Sequence, residues 1–276
     1  MGFLGFGEID PANVQTSVYR KVIGTTNQVG AWYDDTMLAG TPVANLYAAA
    51  PLTASTLNGN NGIRHWSLAG GETEHCVEWW THGTAGDAPA LYILADFVLF
   101  YPFVDCDIAD VQEMDNTVAL PRHTSGQSLR AMIVTQNSAA SNGVYEISYT
   151  NQNGVSGRIS SGTTASATAV GQLLTSNQAV AGQHAPFIPL QSGDTGIRSI
   201  QSITWTTPPG GLAAIVLVKT ITMLQTIESA SVAESQFHER MPEIPNGAYL
   251  GVIRNAGVAM SAAQQLVGQV TTIKEQ

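Results

Sequence analysis

The stretch HCVEWWTH brings His75, Cys76, Glu78 and His82 close together. Nitrogen and sulfur donors of this kind suit zinc. The spacing does not: His75 and Cys76 are adjacent, so on a strand they point to opposite faces, and no second ligand pair follows. The run DCDIADVQEMD holds Asp105, Asp107, Asp110, Glu113 and Asp115. Carboxylate oxygens suit calcium, but the run lacks the central glycine and ordered ligand spacing of an EF-hand. Solvation, or pairing with Arg122 or Arg130, would relieve the same repulsion, and calcium binding stays open at this point. Trp66, Trp79, Trp80 and Tyr92 would make a sugar-stacking platform if exposed in one groove, and core or interface anchors if buried. No GxSxG, HExxH or GxxxxGK[ST] occurs, and no carboxylate pair is singled out for glycoside hydrolysis. His238 beside Glu239 is ordinary in a polar segment. The residues therefore lead us to expect no enzyme, no catalytic residues, no cofactor and no metal.

These side chains would be carried by strands. In VYEISYTNQNGVSGRIS, Tyr145, Ile147 and Tyr149 alternate with Val144, Glu146 and Ser148, the period of a half-buried strand, and Asn153-Gly154 supplies the positive φ of a two-residue hairpin turn. LYILADFVLFYPFVD is a near-continuous apolar run, read as a strand buried on both faces because of its β-branched and aromatic content. Strands are also expected at EHCVEWW, at LRAMIVTQN, and at 197–206 and 212–222 on either side of the turn TPPGG. Helices are expected in two places only: 167–180, where Val170, Leu173, Leu174 and Val180 are partly at helical spacing, and a terminal one around 259–267. Short strands separated by turns predict a mainly β fold, a sandwich or jelly-roll-like barrel with extended N- and C-terminal arms. The expected divisions are an N-terminal arm at 1–16, a β-sandwich core at 17–227, and a C-terminal extension at 228–276 that crosses the surface or reaches a neighbour.

Only 12% of residues are charged, against roughly 25% in ordinary soluble domains. A neutral surface favours repeated subunit contacts, because desolvating a charge at an interface core is costly. The net charge is 11 − 21 = −10 with no basic run, which argues against phosphate-neutralising nucleic-acid binding. The longest apolar runs are interrupted by Asp96, Pro102 and Lys219 and fall short of the ~20 residues of a membrane-spanning helix. The opening MGFLGFGEID lacks a charged signal-peptide n-region, and Phe6 stands where a myristoylation pattern wants Ser or Thr. Cys76 and Cys106 share no CxxC spacing and are expected as buried free thiols.

The segments SYTNQNGVSGR, PFIPLQSGDTGIRSIQSI and AAIVLVK, with AWYDD and FYPFVDCD…DNTVALPR upstream and MPEIPNGAYL downstream, resemble virion-associated structural proteins of tailed bacteriophages. The resemblance spans most of the chain from about residue 31 to 250 and includes no chemical motif. It implies assembly into the head or tail of a virion. Within that class the expectation is a capsid-surface cement or decoration protein whose partners are other copies of itself, as a trimer, and a major capsid protein, with no nucleic acid and no membrane. A tail or baseplate component is the nearest alternative, and a carbohydrate- or receptor-binding β module a second. The expected assembly contacts are Phe3, Leu4 and Phe6 at the N-terminus, and Tyr249, Leu250 and Ile253 toward the C-terminus.

Overall fold

The computed structural model describes residues 10–84, 89–137, 139, 141–167, 169–175, 185–226, 234–237 and 241–275. In chain order the strands are β1 (Val14–Val22), β2 (Trp32–Asp34), β3 (Ala39–Thr41), β4 (Ser55–Thr56), β5 (Thr73–Gly83), β6 (Ala90–Asp105), β7 (Gln112–Glu113), β8 (Arg130–Asn137), β9 (Val144–Asn151), β10 (Arg158–Thr163), β11 (Ile197–Thr207), β12 (Leu212–Thr226), β13 (Glu234–Phe237), β14 (Leu250–Asn255) and β15 (Gln265–Glu275). They form three antiparallel sheets: β13-β5-β15-β1-β3, β10-β9-β11-β7, and a central β2-β14-β6-β12-β8 to which β4 adds at β6. The fold is mainly β and is a sandwich; among the described residues no sheet closes into a barrel.

The long strands β6 and β12 are the spine. On β6, Tyr92 and Leu94 enter a cluster shared with Tyr19, Trp79 and Val270 of the five-stranded sheet. Leu99 and Tyr101 enter another, shared with Ile147, Tyr149, Ile203 and Trp205 of the four-stranded sheet. Ile93, Phe97 and Phe100 face the opposite way, under Met37, Tyr47, Leu57 and Leu173. The alternation changes phase because the register slips between Leu217↔Leu99 and Val218↔Phe97, so Val98 is extra and the same face continues on the other parity. Burial on both faces removes the period-two signal and leaves the continuous apolar run seen in the sequence.

Several expectations are corrected. The loop joining β9 to β10 is not a two-residue turn: the Asn151 side chain accepts from the backbone N–H groups of Asn153 and Val155, at 3.0 Å each, and turns the chain early. Where residues 167–180 are described they are not helical. Leu173 N donates to Trp32 O and Leu174 N to Ile133 O, both at 2.8 Å, and the two leucines enter different clusters, as neighbours on an extended chain do; Val180 lies outside the described residues. At 259–267 a turn, with Gln264 N bonded to Ser261 O at 3.3 Å, leads into β15 in place of a helix. The C-terminal segment is no surface extension either. β14 lies between β2 and β6, and β15 between β5 and β1, each inside a sheet. β14 showed no alternation because Leu250, Gly251, Val252, Ile253 and Arg254 are all buried.

Candidate functional site

Asp96 sits on β6 where the two clusters on one face of the spine meet. Its carboxylate is 0% exposed. Arg122 grips it through Nε at 2.7 Å and Nη2 at 2.5 Å, His123 Nε2 lies 3.0 Å away, and Tyr249 N donates at 3.1 Å. Arg122 also donates to Leu57 O at 2.8 Å and to Phe97 O at 2.7 Å. Burial alone would raise the Asp96 pKa; the hydrogen bonds from His123 and Arg122 outweigh it and hold the carboxyl below its ordinary value.

Further buried groups grip the segment around β14. His65 Nε2 lies 2.7 Å from Ala248 O, while Nδ1 lies 2.8 Å from Glu74 Oε2. Burial opposes charge on His65, but the hydrogen bond and charge of Glu74 prevail and raise its pKa. Arg254 donates from Nε and Nη2 to the two oxygens of Asp35, at 3.1 Å each, and lies over the Tyr33 ring. Asp34 accepts from Thr36 N at 2.9 Å, Thr36 Oγ1 at 2.6 Å and the Tyr47 hydroxyl; burial pushes its pKa up to about 6. Lys21 Nζ donates to Pro42 O at 2.7 Å, Leu38 O at 3.1 Å and Thr36 O at 3.3 Å, and burial lowers its pKa to about 8 against the pull of Asp34 and Asp35. All these charges are directed at the chain's own loops and strands, where they fix positions.

The side chains singled out from sequence fare differently. Tyr249, Leu250 and Ile253, expected as assembly contacts, are 2%, 1% and 0% exposed and pack into this chain's core, with Tyr249 also reaching the wall of the cleft beside β1. Phe3, Leu4 and Phe6 lie outside the described residues. Trp79 and Tyr92 are core residues, Trp80 projects from the opposite face of β5 and stacks on His82, and Trp66 lies under the Lys274 ammonium at 4.8 Å. With Trp79 and Tyr92 buried, the four do not form one exposed stacking platform. Among the described residues no three His, Cys, Asp or Glu side chains gather as a metal site. Asp105 and Asp115 instead cap backbone N–H groups two residues on. Neither arginine pairs with the acidic run: Arg122 is held by Asp96, and Arg130 donates to Ile188 O and covers Phe187. Cys76 and Cys106 are free and buried, and burial pushes both thiols up to about 12.

The surface feature that sequence reasoning missed lies beside β1. β3 pairs with Arg20, Lys21 and Val22 only, so the earlier part of β1 has no strand partner on that side among the described residues. Next to this edge opens a cleft of about 540 Å³, lined by Val18, Thr41, Pro42, Val43, Leu57 and Ile63 among others, with Arg64 its one charged lining residue. Val18 is 60% and Val43 79% exposed. The only sequence signal was weak: an alternating segment, VQTSVY, with no charge in it. No family model, curated protein or solved structure matches this chain.

Proposed function

We propose that this chain is a structural subunit of a tailed-phage virion, acting through contacts between copies and with a shell. Within that class we favour a capsid-surface cement or decoration protein whose partners are other copies of itself and a major capsid protein. The class comes from the sequence resemblance. The observation that carries the assembly reading is where the charge sits. Of a small complement of charged residues, Lys21, Asp34, Asp35, Glu74, Asp96 and Arg254 are buried and add nothing to the charge of the exterior. Meanwhile a strand edge without a strand partner among the described residues and a partly apolar cleft lie at β1. A sparsely charged, partly apolar face is inexpensive to desolvate, which is what a surface that joins copies requires.

Light scattering on the purified chain, followed by electron microscopy of what it forms, tests this reading. A defined oligomer supports it; three-fold symmetry favours the capsid surface, and a ring of another symmetry favours a tail or baseplate component. A chain that stays monomeric at every concentration overturns the assembly reading, and binding to a glycan array would then be measured.

A further inference from the structure

We propose that two copies of this chain pair edge to edge along β1, about a two-fold axis midway between their Thr16 residues. The inference deepens the assembly reading by naming one contact. β1 spans Val14–Val22, and β3 ends at Thr41 opposite Arg20, with Pro42 and Val43 following beside Val18 along the cleft. Among the described residues, 14–18 therefore have no strand partner on that side. Native sheets protect such edges with charges, prolines, bulges or covering loops. This stretch, VQTSV, has neither charge nor proline, and its pairing with β15 runs without a register shift.

The stretch is also complementary to itself. In an antiparallel pair, residues directly opposite lie on the same face of the sheet, so a two-fold perpendicular to the sheet aligns residue i with 32 − i when it passes midway between the two Thr16 residues. Thr16 then faces Thr16 of the partner subunit, and Val14 faces Val18 of the partner subunit. These three side chains are the exposed ones in the segment, while Ser17 is buried. The contact is thus a threonine pair between two valine pairs on the outer face, with no charge opposite a like charge, a combination that stabilises cross-strand pairing. Before β1, the 3-10 turn Pro11–Asn13, capped by the Asp10 side chain, ends the strand lane. A neighbour's β1 and this chain's β3 can therefore share that lane end to end. The exposed Val43 beside the same edge adds apolar area beyond the strand pair itself. A two-fold contact is independent of any three-fold one and links copies, or trimers, in pairs.

The test uses Thr16→Glu and Thr16→Lys in the full chain. Thr16 is exposed, so the fold tolerates either side chain, and far-UV circular dichroism with a thermal melt verifies this for each variant. The parent is expected at an even multiple of the 29.1 kDa chain, each variant at half the parent's mass, and an equimolar mixture of the two variants back at the parent's mass. Glutamate opposite glutamate repels at a cross-strand separation of about 5 Å, whereas glutamate opposite lysine attracts. If the parent associates and both variants associate equally well, the β1 contact is wrong and the assembly reading survives. The β1 contact is equally wrong if the parent is an odd oligomer that the substitutions leave intact. A parent that remains monomeric overturns both. A dimer newly formed when residues 1–9 are deleted would mean that this segment takes the edge in the full chain, so the β1 contact alone would be wrong.

Discussion

Asp96 and Lys219 stand directly opposite each other in the β6–β12 ladder, yet neither is the other's main partner. The carboxylate belongs to Arg122 and His123, and the Lys219 ammonium lies 3.4 Å from His123 Nδ1. Four ionisable groups therefore occupy the seam between the two halves of the sandwich, where the spine passes from one hydrophobic cluster to the next. Removing Arg122 strands a carboxylate that is 0% exposed.

Arg122→Ala is accordingly expected to destabilise the fold by about 3–5 kcal/mol, the usual penalty for an uncompensated buried charge. Urea unfolding followed by tryptophan fluorescence measures it. Asp96 also sets an acid limb. Its folded pKa lies below the ordinary 3.8, so its stabilisation is present above that value and is lost as pH falls through the folded pKa. Asp96→Asn should flatten the parent's loss of stability at acid pH; an unchanged acid limb would assign it to other carboxylates.

Asp34 works in the opposite sense. Its folded pKa is raised from 3.8 to about 6, so the folded state holds a proton that the unfolded chain has released. Between those values the folded state binds more protons, and stability falls as pH rises. Asp34→Asn removes this dependence while keeping an acceptor for Thr36. The variant's stability relative to the parent is expected to rise between pH 4 and 6 by on the order of 2–3 kcal/mol. A pH-independent difference would mean that Asp34 is ionised throughout.

The Asp35–Arg254 pair has both partners buried, with side-chain exposures of 3% and 1%. Breaking such a pair costs more than replacing it. Arg254→Met should therefore cost about 3–5 kcal/mol, and the double change Asp35→Leu with Arg254→Met clearly less. A double-mutant cycle by chemical denaturation checks this. Additive losses would show that the two groups are stabilised separately.

Gly268 shows a packing requirement that the sequence could not disclose. A Cβ at this position on β15 would run into the phenol ring of Tyr19 on the neighbouring strand. That ring is fixed by a hydrogen bond from Trp79 Nε1 to its hydroxyl, at 3.1 Å. Gly268→Ala is expected to cost about 1–3 kcal/mol through overpacking. Gly70→Ala, in open space, serves as the control.

What could be read from sequence divides along a physical line. Strand identity was visible where one face is wet, as in Tyr145, Ile147 and Tyr149, and where a run is long enough to exclude helix, as in β6. It was invisible in β14, where burial on both faces and a glycine leave no period. The pair Leu173 and Leu174 mimicked helical spacing because two adjacent side chains serve clusters on opposite sides. The charge clusters were illegible for another reason. Asp96 and Arg122 are distant in sequence, as are Asp35 and Arg254, and only the sheet order brings them together. The same holds for the open edge of β1, which is defined by where β3 stops.

Association through a neutral face carries a distinct salt signature. Each copy bears a net charge of −10, so copies repel at low ionic strength over a screening length of roughly 30 Å at 0.01 M. Raising the salt to 0.15 M shortens that length to about 8 Å and weakens the repulsion. The contact proposed at β1 contains no ion pair for salt to weaken. Self-association is therefore expected to tighten as salt rises, then level off, which sedimentation equilibrium across a sodium chloride series would follow. Assembly that instead dissolves with added salt would mean that the joining surfaces are ionic, and that the uncharged edge of β1 is not among them.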